Sequence, residues 1–273
     1  MECNDEASLS ISGRALTAKA TEKLATLAWF ARRPSFYRHM VALIARTVTG
    51  AARHEGHYAE AFAWAEGLAV PRRDALAAVG WSATAPVLPT QLVDEGMRRA
   101  KTSGVEMGGP GDLDLLYGAI VAGGARRVVE TGVAYGWSSL AALTALRETG
   151  GQLISVDMPY PKAGNEAFVG IVVPESWRDR WTLIRRPDRN GLRRAIADFG
   201  GEIDLCHYDS DKSYPGRMFA FPLLWRALRP GGLFISDDIS DNFAFRDFFA
   251  RLGVGIAIVR SEGKHVGIAR KPG

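Results

Sequence analysis

Residues 126–148 read RRVVETGVAYGWSSLAALTALRE, and this stretch decides the fold. RRVVET (126–131) is a β-rich apolar run that stops at Gly132. GWSSLAALTALRE (136–148) is a helical run, ended by Gly150–Gly151. A second β-rich run, QLISVD (152–157), follows at once. Strand, glycine turn, helix, strand is the repeating unit of a parallel sheet with helices on its faces. Outward from this unit the rhythm continues. Strands are expected at WTLIRR (181–186), IDLCHYD (203–209), GLFISDD (232–238), GIAIVR (255–260) and HVGIAR (265–270). Helices are expected at 113–122, 214–229, where Pro230 stops the run, and 242–252. The last two strands are joined by Ser261–Glu262–Gly263, a hairpin signal. The expectation is an α/β protein with a seven-stranded, mostly parallel, doubly wound sheet and an antiparallel last strand.

The first hundred residues read differently. They are rich in Ala, Leu and Arg, with helical runs at 15–33, 36–50, 57–70 and a short one at 72–81. Pro34 and Pro71 stop two of them, and WSATAPVLPTQ (81–91) reads as a connector. Residues 1–105 are therefore expected to form a helical N-terminal appendage, and residues 106–273 the sheet domain. The basic run Phe36–Tyr37–Arg38–His39–Met40 fits a membrane surface or a packed helix, and the packed helix is the reading adopted. Apolar helices need a surface, so the appendage is expected to shape an acceptor pocket or a contact within a homo-oligomer.

Composition narrows the classes. The chain of 273 residues is 47% hydrophobic and 23% charged, which excludes wholesale disorder. Two cysteines, Cys3 and Cys206, cannot form a metal cluster or a disulfide network and suit a cytoplasmic protein. No apolar run approaches a membrane span, and the polar start MECNDEASLS is not a signal peptide. The net charge of +4 is spread evenly, with 12 basic and 10 acidic residues in 1–100 and 22 and 20 in the rest. No basic block marks a nucleic-acid partner.

In an open parallel sheet, ligands bind beyond the carboxyl ends of the strands. The first strand ends in Glu130-Thr-Gly132-Val-Ala-Tyr135-Gly136-Trp-Ser138, a G-x-x-x-G turn rather than the G-x-G-x-x-G of dinucleotide binders. Its glycines let a backbone turn tightly and a ligand come close, and its acid suits a cationic ligand better than a pyrophosphate. The second strand ends in Asp157, where an acid can hold both ribose hydroxyls; as plain architecture it would be a cap or turn residue. The fourth strand ends in Asp209-Ser-Asp211-Lys212 and the fifth in Asp237-Asp238. Neighbouring strands would bring these acids together, and crowded carboxylates need a neutralising partner. A hard divalent cation such as Mg²⁺ would serve, with Asp209, Asp237 and Asp238 as ligands. Scattered caps and turn acids are the other reading, and the one adopted for Asp211 and Asp241.

The order Glu130-x-Gly132-x-x-x-Gly136, then Asp157, then IDLCHYDSDKSY and GGLFISDD resembles class I S-adenosylmethionine-dependent methyltransferases. Within them it is similar to the divalent-metal-dependent O-methyltransferases of catechol, caffeoyl-CoA and macrocin or sugar type. The resemblance covers about residues 107–270 and implies a Rossmann-like methyltransferase fold. It places S-adenosylmethionine against Glu130, Gly132, Tyr135, Gly136, Ser138, Asp157, Asp188 and Asp209, with Asp188 or Arg189 beside the adenine. It places Mg²⁺ on Asp209, Asp237 and Asp238, where catechol-type enzymes carry Asp-Asn rather than Asp-Asp. It makes Lys212, helped by Asp209, the catalytic pair that deprotonates a hydroxyl of a small-molecule acceptor: a sugar, a glycoside or a phenolic natural product. A solvated helix-start lysine is the other reading of Lys212. His207 departs from the apolar pattern of its strand, and 185–190 lacks the usual adenine-contact pattern. The insert 157–177 reads as a substrate lid or a solvated loop. Two alternatives remain open: a metal-independent methyltransferase using Asp209, His207 or Lys212 as base, and a degenerate fold serving as a binding module.

Overall fold

The computed structural model describes residues 26–48, 57–80, 86–159 and 164–273. The helix expected over 15–33 therefore lies largely outside the described residues, as do residues 160–163 of the insert. The N-terminal third supplies helices α1 (Tyr37–Val48), α2 (Tyr58–Leu68), α3 (Arg72–Ala78) and α4 (Thr90–Lys101), with the short strand β1 (Ala69–Val70) between α2 and α3. Alternation then begins: α5 (Leu113–Ala122), β2 (Arg127–Thr131), α6 (Trp137–Thr149), β3 (Gln152–Val156), β4 (Trp181–Ile184), α7 (Asp188–Asp198) and β5 (Ile203–Tyr208). It ends with α8 (Tyr214–Ala227), β6 (Leu228–Ser236), α9 (Ala244–Leu252), β7 (Ile256–Ser261) and β8 (Lys264–Arg270).

The sheet runs β1-β7-β8-β6-β5-β2-β3-β4. The five strands from β6 to β4 are parallel, and β8 lies antiparallel between β6 and β7. The α/β reading and its antiparallel hairpin thus hold, with one correction. The sheet has eight strands, because Ala69 and Val70 pair with Ile258 and Val259 at the edge. Two residues carry no periodicity, so nothing in the sequence separated them from the helix before them. Helix α4 begins where a connector was expected.

Local chemistry fixes where the helices start. Asp112 caps α5 by accepting from the Leu115 amide at 3.0 Å, and Ser213 caps α8 by accepting from Gly216 at 3.1 Å. One apolar layer packs Leu140, Leu143 and Ile120 on one face of the sheet, and the other packs Phe221, Phe245 and Phe249 on the opposite face. Leu76, Val79 and Leu88 belong to the first layer, so this part of the N-terminal hundred is built into the sheet's own core. β5 is buried along its whole length, His207 included. Among the described residues no helix is long and apolar enough to cross a membrane.

Candidate functional site

A cavity of about 600 Å³ opens at the carboxyl ends of the central strands. Its floor begins at the turn after β2. Gly132 has φ +77°, and a Cβ there would collide with the carbonyl of Asp209 on the neighbouring strand end. The turn and the end of β5 are therefore packed backbone to backbone. Ser138, at the start of α6, lies on the same wall.

Asp157, Asp188 and Arg189 form the next part of the wall. The Asp157 carboxylate accepts from the Val133 amide at 3.2 Å and is ion-paired with Arg185. Burial lifts its pKa, and Arg185 and the Val133 amide only partly oppose this. Asp188 accepts from Ser210 Oγ at 2.6 Å and from Tyr208 Oη at 3.2 Å. Burial nevertheless pushes Asp188 up to about 6. Arg189 lies over the Phe219 ring, 4.4 Å from its centroid.

Three residues expected at the donor do not reach the cavity. Glu130, within β2, is buried, accepting from Ser139 and Ser155 Oγ at 2.5 Å each. Tyr135 is buried, and its hydroxyl bonds to the Val105 carbonyl. Gly136, at φ +91°, serves a close approach instead, since a Cβ there would lie 2.9 Å from Gly170 Cα. The approach arises because the insert docks on this turn: the Gly170 amide donates to Ala134 O at 2.9 Å and Val172 to Tyr135 O at 3.1 Å. The described part of the insert is thus packed, with Val172 and Val173 buried. Met158 and Pro159 at its start line the cavity.

The acidic strand ends lie across the floor. Among the described residues Asp209 Oδ1 is buried without a hydrogen bond, and it sits 3.4 Å from Lys212 Nζ. Asp237 meets His207 Nε2 at 3.3 Å. Asp238 has a left-handed backbone, φ +50°, and its carboxylate is held by Lys212 on one oxygen and by Lys264 at 3.7 Å on the other. The buried Arg217 donates to the carbonyls of Asp237 and Asp238 at 3.2 and 2.7 Å, which fixes this turn. Burial works to lower His207, but Asp237, Glu130 and Asp209 outweigh it and lift the imidazole to about 9. Burial works to raise Asp237, but His207, Lys264 and Lys212 hold it below the usual carboxylate range. Asp209 rises to about 6 from burial and from Asp237 and Asp238, against Lys212 and His207.

Residues 129–239 match the methyltransferase-domain family. The strand ends just described fall within that match. Residues 129–239, about two fifths of the chain, are thus similar to a methyltransferase domain. Similar folds include an O-methyltransferase from Bacillus cereus in complex with SAH, at TM-score 0.51 and 16% identity over 76% of this chain and 100% of that one. They also include cofactor-bound Rv0187 from MTB, at TM-score 0.52 and 15% identity over 66% and 89%. A third is a Klebsiella pneumoniae protein assigned to the O-methyltransferases, at TM-score 0.52 and 19% identity over 70% and 93%. At such identities the likeness shows the shared fold. No curated protein matches the chain. The enzyme class read from the sequence, an S-adenosylmethionine-dependent methyltransferase, stands.

Two expectations about this methyltransferase need correction. Lys212 was expected to help take the acceptor's proton, which requires a lowered pKa. Burial does act that way, but Asp209 and Asp238 outweigh it and raise the lysine above its usual range. It stays an ammonium and cannot take a proton at neutral pH. The metal set is the second. Among the described residues, no three His, Cys, Asp or Glu side chains are placed to hold one ion. Asp238 points to two lysines and Asp237 to an imidazolium, so three carboxylates already face three cationic side chains. A dication has no uncompensated charge to neutralise there, and the donor set does not fit it. Sequence reasoning did not weigh Arg185, Arg217 or Lys264. Nothing local in the sequence marks them, since each meets its partner on another element of the fold.

Proposed function

We propose that this enzyme transfers the methyl group of S-adenosylmethionine to a hydroxyl oxygen of a small molecule: a sugar, a glycoside or a phenolic natural product. The observation that carries this reading is the place of Asp209. Its backbone abuts the glycine turn where the donor is expected, and its side chain, 32% exposed, lines the cavity. A carboxylate with a pKa near the working pH is suited to general-base work, and Asp209 sits at about 6. Asp209 takes the hydroxyl proton. The oxygen attacks the methyl carbon in line, and the C–S pair leaves on sulfur as a neutral thioether. Lys212 stabilises charge on the reacting oxygen, and alignment of methyl and oxygen supplies much of the barrier reduction.

The donor is assigned to Gly132, Ser138, Asp157, Asp188 and Arg189, which share one wall. The acceptor enters from the other side, beneath Phe30, His39 and Leu43 of the N-terminal helices. That placement supports the expected role of the N-terminal helices in shaping the acceptor pocket. The exposed Tyr37, Val41 and Ile44, spaced along α1, support a contact between copies. The buried free thiol of Cys206 suits a cytoplasmic protein. Among the described residues Mg²⁺ assistance has no suitable donor set, so the metal-independent route is the reading put forward. The test is labelled donor with a panel of phenols, sugars and glycosides, using wild type and Asp209→Asn. Transfer by wild type, and at least about 100-fold slower transfer by the variant, is expected for loss of a general base. Equal rates would reject Asp209 as the base.

A further inference from the structure

Lys264 opens β8 directly after the hairpin turn, where Glu262 and Gly263 both have left-handed backbones. Ser236, the last residue of β6, pairs with Gly267 of β8. The antiparallel register therefore carries Lys264 past the end of β6, alongside the Asp237–Asp238 turn. There its Nζ stands 3.7 Å from Asp238 Oδ1, while Lys212 holds the other oxygen of the same carboxylate. At 3.7 Å the Lys264 contact is an ion pair without a hydrogen bond, so its three N–H donors are unspent among the described residues. The side chain is 56% exposed and lines the cavity together with Lys212, Asp209 and Asp237. An exposed lysine aimed at a cavity floor, short of hydrogen bonds and anchored from behind by a buried carboxylate, is arranged to receive an anionic oxygen.

We infer that Lys264 is an acceptor-binding residue, which with Lys212 takes the charge role of a divalent cation and selects acceptors whose hydroxyl ionises on an apolar body. The inference rests on the methyl-transfer reading above. The lysines stabilise the acceptor oxyanion as Asp209 accepts its proton. The oxygen then forms its bond to the methyl carbon, the C–S bond breaks towards sulfur, and Asp209 releases the proton to solvent. Phe30, Leu43, Met107 and Phe219 line the same cavity and give the apolar body its surface. An alcohol of a sugar gains less from two ammonium groups, because it does not ionise near neutral pH.

The experiment uses the full chain saturated with S-adenosylhomocysteine in excess chelator. It is titrated with 4-nitrophenol, whose ionised form is read by its absorbance, just below the free phenol's pKa. Wild type is expected to bind and ionise the probe without metal. Lys264→Met is expected to weaken probe binding at least about tenfold, the lower end for a hydrogen bond to a charged group. Lys264→Arg should restore most of it, and both variants should bind S-adenosylhomocysteine like wild type in calorimetry. The inference is overturned by probe ionisation that needs added Mn²⁺, by equal binding in Lys264→Met, or by no ionisation in donor-bound wild type. Loss of S-adenosylhomocysteine binding in wild type itself would instead reject the underlying methyl-transfer reading.

Discussion

Replacing Gly132 with alanine probes the joint on which the site is built. The residue has φ +77°, and the added Cβ would lie 2.8 Å from the Asp209 carbonyl carbon and closer still to its oxygen. The left-handed backbone costs a non-glycine residue about 1–2 kcal/mol. Forcing a methyl against packed backbone adds about 1–3 kcal/mol. Neither partner can yield cheaply, because the Gly132 amide donates to Val156 O at 2.9 Å and the Asp209 amide to Thr131 O at 3.0 Å. The combined loss of about 2–5 kcal/mol corresponds to a fall in Tm of roughly 5–20 °C for a protein of this size. Gly124→Ala is the control, since Gly124 has φ +57° with nothing within 4 Å of its Cβ position. It should lose only the conformational part and keep its donor affinity. Thermal unfolding and S-adenosylhomocysteine calorimetry on both variants decide the matter. If Gly132→Ala loses no more stability than Gly124→Ala and binds donor as wild type does, the packed joint is not what shapes the site.

Asp157→Ala should weaken S-adenosylhomocysteine binding about tenfold to 150-fold, the range for hydrogen bonds to a charged group, as read by calorimetry. Asp188, raised from 3.8 to about 6 by burial, makes the native state hold more protons than the unfolded chain, so stability falls as pH rises across that window. Asp188→Asn should remove up to about 3 kcal/mol of that fall in urea titrations between about pH 4 and 6. His207 is raised from 6.5 to about 9, so its contribution is complete below about 6.5 and is lost as pH climbs through 9. His207→Gln should flatten wild type's loss of about 3 kcal/mol across that alkaline window; an unchanged profile would place the charge elsewhere.

The sheet was legible because its strands from Arg127 to Ser236 run into a glycine or an acid, at Gly132, Asp157, Asp209 and Asp237, or, for β4, into Arg185–Arg186 just before Pro187. The adjacency of β5 and β6 followed from the same pattern and brought Asp209 near Asp237 as expected. Glu130 shows where such reading stops. A strand alternates its faces, and which face an end residue takes depends on register with Ser155 and His207 across two neighbours. Tyr135 was hidden for a similar reason, since its partners Ser103 and Val105 lie some thirty residues earlier in the chain. The acidic cluster was read with the right residues and the wrong counter-charge. Lys212 stood in the motif, but Lys264 arrives from the far hairpin and His207 from inside a buried strand, and only the fold adds them to the charge count. The edge strand Ala69–Val70 was illegible because its two residues pair with a strand nearly two hundred positions away.

The most direct measurement is titration of S-adenosylhomocysteine into the full chain by calorimetry, in the presence of chelator. The account predicts one molecule bound per chain in wild type, with binding sharply weakened in Asp157→Ala and Gly132→Ala and retained in Lys264→Met. Absence of binding by wild type, or affinity indifferent to Asp157 and Gly132, would contradict it.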